Sequence, residues 1–387
     1  MRKRLLAMII LVGLVCTGVL FAAGQAENTI EFGVNYELTG GFPIIGTSAK
    51  EGIALAVEEI NAAGGVTVGG TQYTLVPKYL DNGFNESEAA VVTQKFADDD
   101  DIIAMIGPND SAMCLASAQI VNAQKLPTIT PWATNIDITK TGDYFFRACF
   151  TDDFQGAILA KYAFDKEGAR TAASLYDKSN PYNVGIATIF AKTFEELGGR
   201  IVEMQTYSAG DTDFNAQLTK IIGKKPDILI LPNFYEEVVT QASQARRLGY
   251  QGKFIGSDTW GDSSILDADT EGLLNNAVWV GHYHVDIASP SALRFIDSYK
   301  EKYGTDKVPN DIVALNYDTV YLLKNAIENG KSLDRAVVQK GLTLIKQFEG
   351  VTGTMRFGGD ILGDPLKSAV MIQIKDGAFK FLTIEKP

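Results

Sequence analysis

Histidine and cysteine are scarce in this chain of 387 residues, which holds two of the first and three of the second. The cysteines show no close spacing, so neither a disulfide scaffold nor a cysteine-based metal site is written into the sequence. His282 and His284 would face one way on a strand, but zinc needs further ligands that no neighbouring spacing supplies. Basic residues are also in deficit. Lys and Arg number 35 against 47 Asp and Glu, a formal net charge of −12. Nucleic-acid binding needs a basic surface, so that class is excluded. The acidic excess suits a soluble monomer instead. Catalytic signatures are missing as well. Gly41 to Gly46 has phosphate-loop glycine spacing, but Thr47-Ser48 stands where Lys-Ser or Lys-Thr is needed. There is no G-x-S-x-G elbow, and no G-x-G-x-x-G turn follows the first strand. No carboxylate spacing singles out an acid/base pair. An enzyme, a metal site and a bound cofactor are therefore not expected.

Long hydrophobic runs are absent beyond the first residues. Arg2, Lys3 and Arg4 precede an uncharged run from Leu5 to Phe21, and Ala22-Ala23-Gly24-Gln25-Ala26 offers small residues for cleavage. Residues 1–26 read as an export signal, cut after Ala23 or Ala26; a retained anchor is the alternative. Val15 before Cys16 argues against lipid attachment. The expected location is the periplasm or the outer face of the cytoplasmic membrane.

What is present is alternation. Strand-like runs at 30–34, 75–79, 102–106 and 126–130 alternate with helical periodicity at 52–60, at 87–96 and from Ser111. The alternation restarts after Phe150, with helices at 155–164, 184–197, 214–222 and 236–248. The strands there fall at 172–176, 201–206, 227–231 and 253–255. Two βα series predict an α/β protein of two doubly wound, Rossmann-like lobes, with ligands at the strand carboxyl ends. A hairpin around Asp376-Gly377 closes the chain.

Three places at strand ends stand out. Ser111 would put a hydroxyl and backbone N–H groups at a helix start, a seat for a carboxylate or phosphate; an ordinary cap, which needs no partner, is the more frequent use of such a serine. Thr130-Pro131-Trp132-Ala133-Thr134 offers a second hydroxyl and exposed backbone. Asp258, near Trp260, could hold a cation or cap the next helix.

Taken in order, these pieces carry a resemblance. "GVNYELTGGFPIIGTSAKEGIALAVEEINAAGGV", "IGPNDSAMCLASAQIVNAQKLPTITPWATN" and "DTDFNAQLTKIIGKKPDILILPNFYEEVVTQASQARRLGYQGKFIGSD" resemble the leucine/isoleucine/valine-binding protein family. These are type I solute-binding proteins of ABC transporters. The resemblance implies three hinge crossings, near Cys149, Gly281 and Gly353. The lobes would then be 28–149 plus 281–353 and 150–280 plus 354–387. It implies that Ser111 holds a ligand carboxylate and that Thr134 touches both carboxylate and ammonium. Trp132 and Ala133 would lie beside the ligand, with the Trp132 carbonyl accepting from the ammonium. Tyr182 would be an aromatic wall, Phe234 would stand where tyrosine is usual, and Asp258 would pair with the ammonium. Phe42 would substitute for an aromatic at Ile45, while Phe84 and Asp110 occupy the sites of a cysteine pair found in some members. The implied function is capture of an α-amino acid, branched-chain or otherwise apolar, for a membrane permease. Feeding a signalling receptor, or carrying amides or other small carboxylates, are the alternatives on the same fold.

Overall fold

The computed structural model describes residues 28–387; the expected signal segment lies outside the described residues. The chain opens with β1 (Thr29–Tyr36), buried almost throughout, as befits a strand covered by helices on both faces. It continues through α1 (Pro43–Ala62), β2 (Val66–Val68), β3 (Thr71–Asp81), α2 (Glu86–Ala97) and β4 (Ile102–Ile106). Next come α3 (Ser111–Ala123), β5 (Thr128–Thr130) and β6 (Phe145–Arg147). These strands form one sheet in the order β2-β3-β1-β4-β5-β6, parallel except where β2 pairs with β3.

A second series follows: α4 (Asp152–Lys161), β7 (Thr171–Asp177), α5 (Pro181–Glu196), β8 (Arg200–Tyr207), α6 (Asn215–Gly223) and β9 (Ile228–Leu231). It runs on through α7 (Tyr235–Arg247), β10 (Lys253–Gly256), α8 (Ser264–Ala268) and β11 (Val278–Gly281). The chain then returns to the first lobe with α9 (Pro290–Tyr303), α10 (Asp311–Gly330) and α11 (Arg335–Leu344). Ile312, Val313, Leu315 and Val338 share one core with Ile30, Phe32 and Ile53. Three short strands, β12 (Gln347–Gly350), β13 (Gly353–Arg356) and β14 (Leu366–Lys367), pair in a small antiparallel sheet. Finally β15 (Ala369–Lys375) and β16 (Ala378–Glu385) join the second sheet, whose order is β16-β15-β11-β10-β9-β7-β8. Only β15 runs against the others in it, pairing antiparallel with both β11 and β16.

The sequence dictates several of these boundaries locally. Asn85 and Asn180 accept from Glu88 N and Tyr182 N and so cap α2 and α5, using a side-chain oxygen to satisfy a helix-start N–H. Pro43 and Pro181 take first helical positions, where no N–H is needed. Consecutive buried residues in β4 and β9 mark strands covered on both faces.

The α/β alternation and the two doubly wound lobes are present, with ends differing by a few residues. The helix read at 52–60 starts earlier, at Pro43, and the one read at 155–164 starts at Asp152 and widens to a π-helical turn over Tyr162–Lys166. His282 and His284 lie beyond the end of β11, in a connecting segment, so they do not form a same-face pair on a strand. The chain passes between the two lobes three times: after β6, after β11, and between Lys367 and Ala369. Gly353, expected at the third passage, begins β13 of the small sheet.

Candidate functional site

In both sheets the strand order reverses beside strands that end at the same cleft. In the first sheet this is between β1 and β4, in the second between β7 and β9. Such reversal points open a crevice at strand carboxyl ends. At the end of β4, Gly107 adopts φ 92°. A Cβ there would lie 2.6 Å from the Asn35 carbonyl oxygen and the Tyr36 ring, so only glycine allows the turn. The chain then presents Asn109, Asp110 and Ser111, all buried. Asp110, not Ser111, is the cap of α3: its Oδ1 accepts from Ala112 N at 2.8 Å and Met113 N at 3.4 Å. Two helix-start N–H groups expected to be free are thus taken. The Ser111 hydroxyl accepts from Asn135 N at 3.3 Å, and Asn109 Nδ2 donates to Glu37 Oε1 at 2.9 Å.

The loop after β5 is held from behind. Thr130 Oγ1 donates to the Pro108 carbonyl and accepts from Ala133 N. Arg147, fully buried, spreads its guanidinium over four acceptors. Nη1 reaches the Ala133 carbonyl at 2.9 Å, and Nη2 the Asn135 carbonyl at 2.8 Å and Thr139 Oγ1 at 3.0 Å. Nε pairs with Asp364 at 2.6 Å. The Cys149 thiol also donates to the Ala133 carbonyl. The Thr134 carbonyl accepts from Asp152 N, and its hydroxyl from Gln155 Nε2 at 3.5 Å.

Across the cleft, Tyr182 follows the Asn180 cap of α5 and donates its hydroxyl to Asp258 Oδ1 at 2.5 Å. Asp258 Oδ2 lies 3.0 Å from His282 Nε2. Burial lowers the His282 pKa from its usual 6.5, against the opposing pull of Asp258, so the imidazole is neutral at pH 7 and Nε2–H donates. The ring stacks on Phe150 at 3.7 Å, and His282 N donates to Asp311 at 2.7 Å. Phe150 and His282 belong to the first and second passages, so both connectors meet behind Asp258.

The lobes touch directly. Asn180 Nδ2 donates to Asp110 Oδ2 at 3.0 Å, Asn135 Nδ2 to the Pro181 carbonyl at 3.2 Å, and Asn310 Nδ2 to Asp262 at 3.0 Å. Phe42 stacks on Phe234 with ring centroids 4.6 Å apart, and Phe84 meets both edge-on. Phe42 and Phe84 hold φ values of 53° and 56°, a left-handed conformation that costs a bulky residue energy.

Between the lobes lies a cavity of about 10 Å³, walled by Asn109, Asp110, Ser111, Trp132, Ala133, Tyr182, Phe234 and Thr259. That is room for about one water molecule. Of the residues expected at the site, Ser111, Trp132, Ala133, Tyr182 and Phe234 are brought together on this wall. Thr134, Asp258 and Phe42 are not on it: Thr134 faces Gln155, Asp258 is reached through the Tyr182 hydroxyl, and Phe42 covers Phe234. Ile45 packs in the first lobe's core. None of Glu37, Asn109, Asp110 and Thr259 is placed at the site by the sequence alone. Three polar atoms here are buried without partners: Asn109 Oδ1, Trp132 Nε1 and Glu37 Oε2.

Burial pushes several carboxyl groups upward: Glu37 to about 7, Asp311 to about 7 and Asp152 to about 8. At Glu37 the Asn109 hydrogen bond opposes this, and at Asp152 the Thr134 hydrogen bond does. With folded pKa values above unfolded ones, the native state binds the extra protons between about pH 4 and 8. Their contribution is fully present below the unfolded pKa and is lost as pH rises through 7 to 8. His282 and His284, with lowered pKa values, work in the opposite sense, against these three carboxyls and Glu237, itself raised to about 7. The melting temperature is therefore expected to fall by several degrees between pH 5 and pH 8, and Glu37→Gln to flatten part of that slope. Scanning calorimetry across pH checks both; a melting temperature that rises over this interval contradicts them.

Two doubly wound lobes, joined by three passages and meeting over strand-end loops, define a two-lobe ligand-binding protein. The chain belongs to the periplasmic binding protein family, whose model matches residues 29–378, and within it to the leucine/isoleucine/valine-binding proteins. These are substrate-binding proteins, not enzymes. A leucine-, isoleucine-, valine-, threonine- and alanine-binding protein from Pseudomonas aeruginosa is 29% identical over 339 residues, 86% of this chain and 87% of the relative. The crystal structure of a leucine-binding protein from Thermotoga maritima is 32% identical, with a TM-score of 0.86 over 93% of this chain and 99% of its own. A branched-chain amino acid transporter substrate-binding protein from Streptococcus pneumoniae, in complex with isoleucine, is 34% identical. Its TM-score is 0.83, over 93% of this chain and 100% of its own.

Proposed function

We propose that this protein captures an α-amino acid between its lobes and delivers it to the permease of an ABC transporter outside the cytoplasm. The observation that carries this reading is the pairing across the cavity: the Ser111 hydroxyl at the start of α3 on one side, and the Tyr182–Asp258 pair on the other. A ligand carboxylate at Ser111 lies at the positive end of a helix. A ligand ammonium completes the lone pairs that Asp258 keeps after accepting from Tyr182 and His282. The Trp132 carbonyl, beside Ser111 on the wall, serves the ammonium of such a zwitterion. Engaging one ligand from both lobes makes closure depend on the ligand. The small cavity requires the lobes to part for entry, bending at the three passages. The names of the relatives support amino acids as the class and transport as the purpose.

A thermal-shift panel of amino acids, amides and simple carboxylates tests the reading. An α-amino acid at 100 times its Kd should stabilise the protein by about 2.7 kcal/mol. Amides and carboxylates without an ammonium should do far less. A response to simple carboxylates alone would overturn it.

A further inference from the structure

The wall of the cavity is not purely apolar. Asn109 and Asp110 form part of it, and Glu37 stands directly behind Asn109, its Oε1 accepting from Asn109 Nδ2. No Lys, Arg or His lines the cavity. Asp110 already accepts from two helix-start N–H groups and from Asn180. Glu37 and Asn109 are less well served. Glu37 is fully buried and its Oε2 has no partner; Asn109 is 1% exposed and its Oδ1 has none. Buried acceptors without donors are costly and uncommon. The one of them that belongs to the cavity wall, Asn109 Oδ1, asks for an N–H group brought from outside.

Resting on the amino-acid reading above, we propose that the ligand is an amino acid whose side chain ends in nitrogen donors, an amide or a cationic group, and that Asn109, backed by Glu37, recognises it. The amide oxygen of Asn109 accepts from the ligand side chain. Glu37 holds the Asn109 amide so that this oxygen faces outward: with Nδ2 committed to Glu37, the amide cannot flip without losing that bond. Asp110 on the wall, with no Lys, Arg or His beside it among the described residues, favours a donor-rich side chain and disfavours a carboxylate one. A branched aliphatic side chain leaves Asn109 Oδ1 desolvated and unpaired, and sites built to hydrogen-bond discriminate strongly against analogues lacking the partner. Trp132, the bulkiest residue on the wall, contributes an indole N–H that also lacks a partner; it suits the oxygen of a side-chain amide or the α-carboxylate.

The test is calorimetric titration of the full chain with asparagine, glutamine, lysine and arginine on one side and leucine, isoleucine and valine on the other. At least one of the first group should bind at least about tenfold tighter than every member of the second. Asn109→Leu should reverse that order, and Glu37→Gln, which keeps the shape, should weaken the donor-bearing ligand while leaving leucine unchanged. Tighter binding of leucine, isoleucine or valine to the unaltered protein overturns this inference alone. Equal weakening of all amino acids by Asn109→Leu overturns it too, since the residue would then serve the fold rather than the choice. Binding of no amino acid overturns the amino-acid reading itself, and this inference with it.

Discussion

Replacing Arg147 by alanine is expected to cost about 3–5 kcal/mol of stability, the cost of removing one partner from a buried ion pair. The guanidinium is fully buried and satisfies Asp364, the Ala133 and Asn135 carbonyls and Thr139 at once. Asp364 is partly exposed, but the Ala133 and Asn135 carbonyls belong to buried residues and each loses a donor there. The same change releases the backbone of the loop from Ala133 to Asn135, on which Ser111 and the cavity wall depend. Amino-acid binding should therefore fall along with the melting temperature. Arg147→Lys separates the two effects. An ammonium keeps the charge opposite Asp364 but cannot span three further acceptors as a planar fork does, so stability should recover in part while binding stays impaired. Thermal unfolding and calorimetry on the same preparations decide this. An Arg147→Ala protein that melts within a degree of the unaltered one contradicts the account.

The second large effect is expected at Asp258. Asp258→Asn keeps the shape and removes the charge, and loss of a desolvated charge pair costs about 2–5 kcal/mol of binding. At about 1.4 kcal/mol per tenfold, Kd for the amino acid should rise from about 30-fold to more than a thousandfold. Asp258→Ala should do at least as much and also destabilise the protein. It leaves the Tyr182 hydroxyl and His282 Nε2 without their acceptor in a site where both residues are buried. Unchanged affinity in Asp258→Asn, measured by calorimetry, would remove Asp258 from the ligand.

Much of this was legible in the sequence because it is local. Runs such as Ile102–Ile106 and the periodicity after Ser111 depend on neighbours in the chain, and the alternation of the two depends on nothing else. The segment from 281 to 353 was not read element by element. Its longest helix, α10, is buried on nearly every side through Val320, so it lacks the single apolar stripe that marks a surface helix. Strands β12 to β14 are too short for a period to register. At the site, Ser111, Trp132, Ala133, Tyr182 and Phe234 could be transferred one position at a time. The link between Asn109 and Glu37 could not, because it joins residues far apart in sequence. Arg147 did leave a trace: a lone charge within "FFRACF" is out of place among residues that bury readily.

The stack of Phe42 on Phe234 bears on how long a captured ligand stays. It joins the lobes without involving the ligand, and an aromatic pair of this kind contributes about 0.5–1.5 kcal/mol. That attraction must be broken before anything can leave, so it slows escape by a factor of about 2 to 10. The two left-handed phenylalanines, Phe42 and Phe84, lie on separate first-lobe loops, after β1 and after β3. On the proposed reading, residence time and equilibrium affinity are governed by partly different residues: the polar wall bears on the choice of cargo, and the aromatic rim on the timing of its departure.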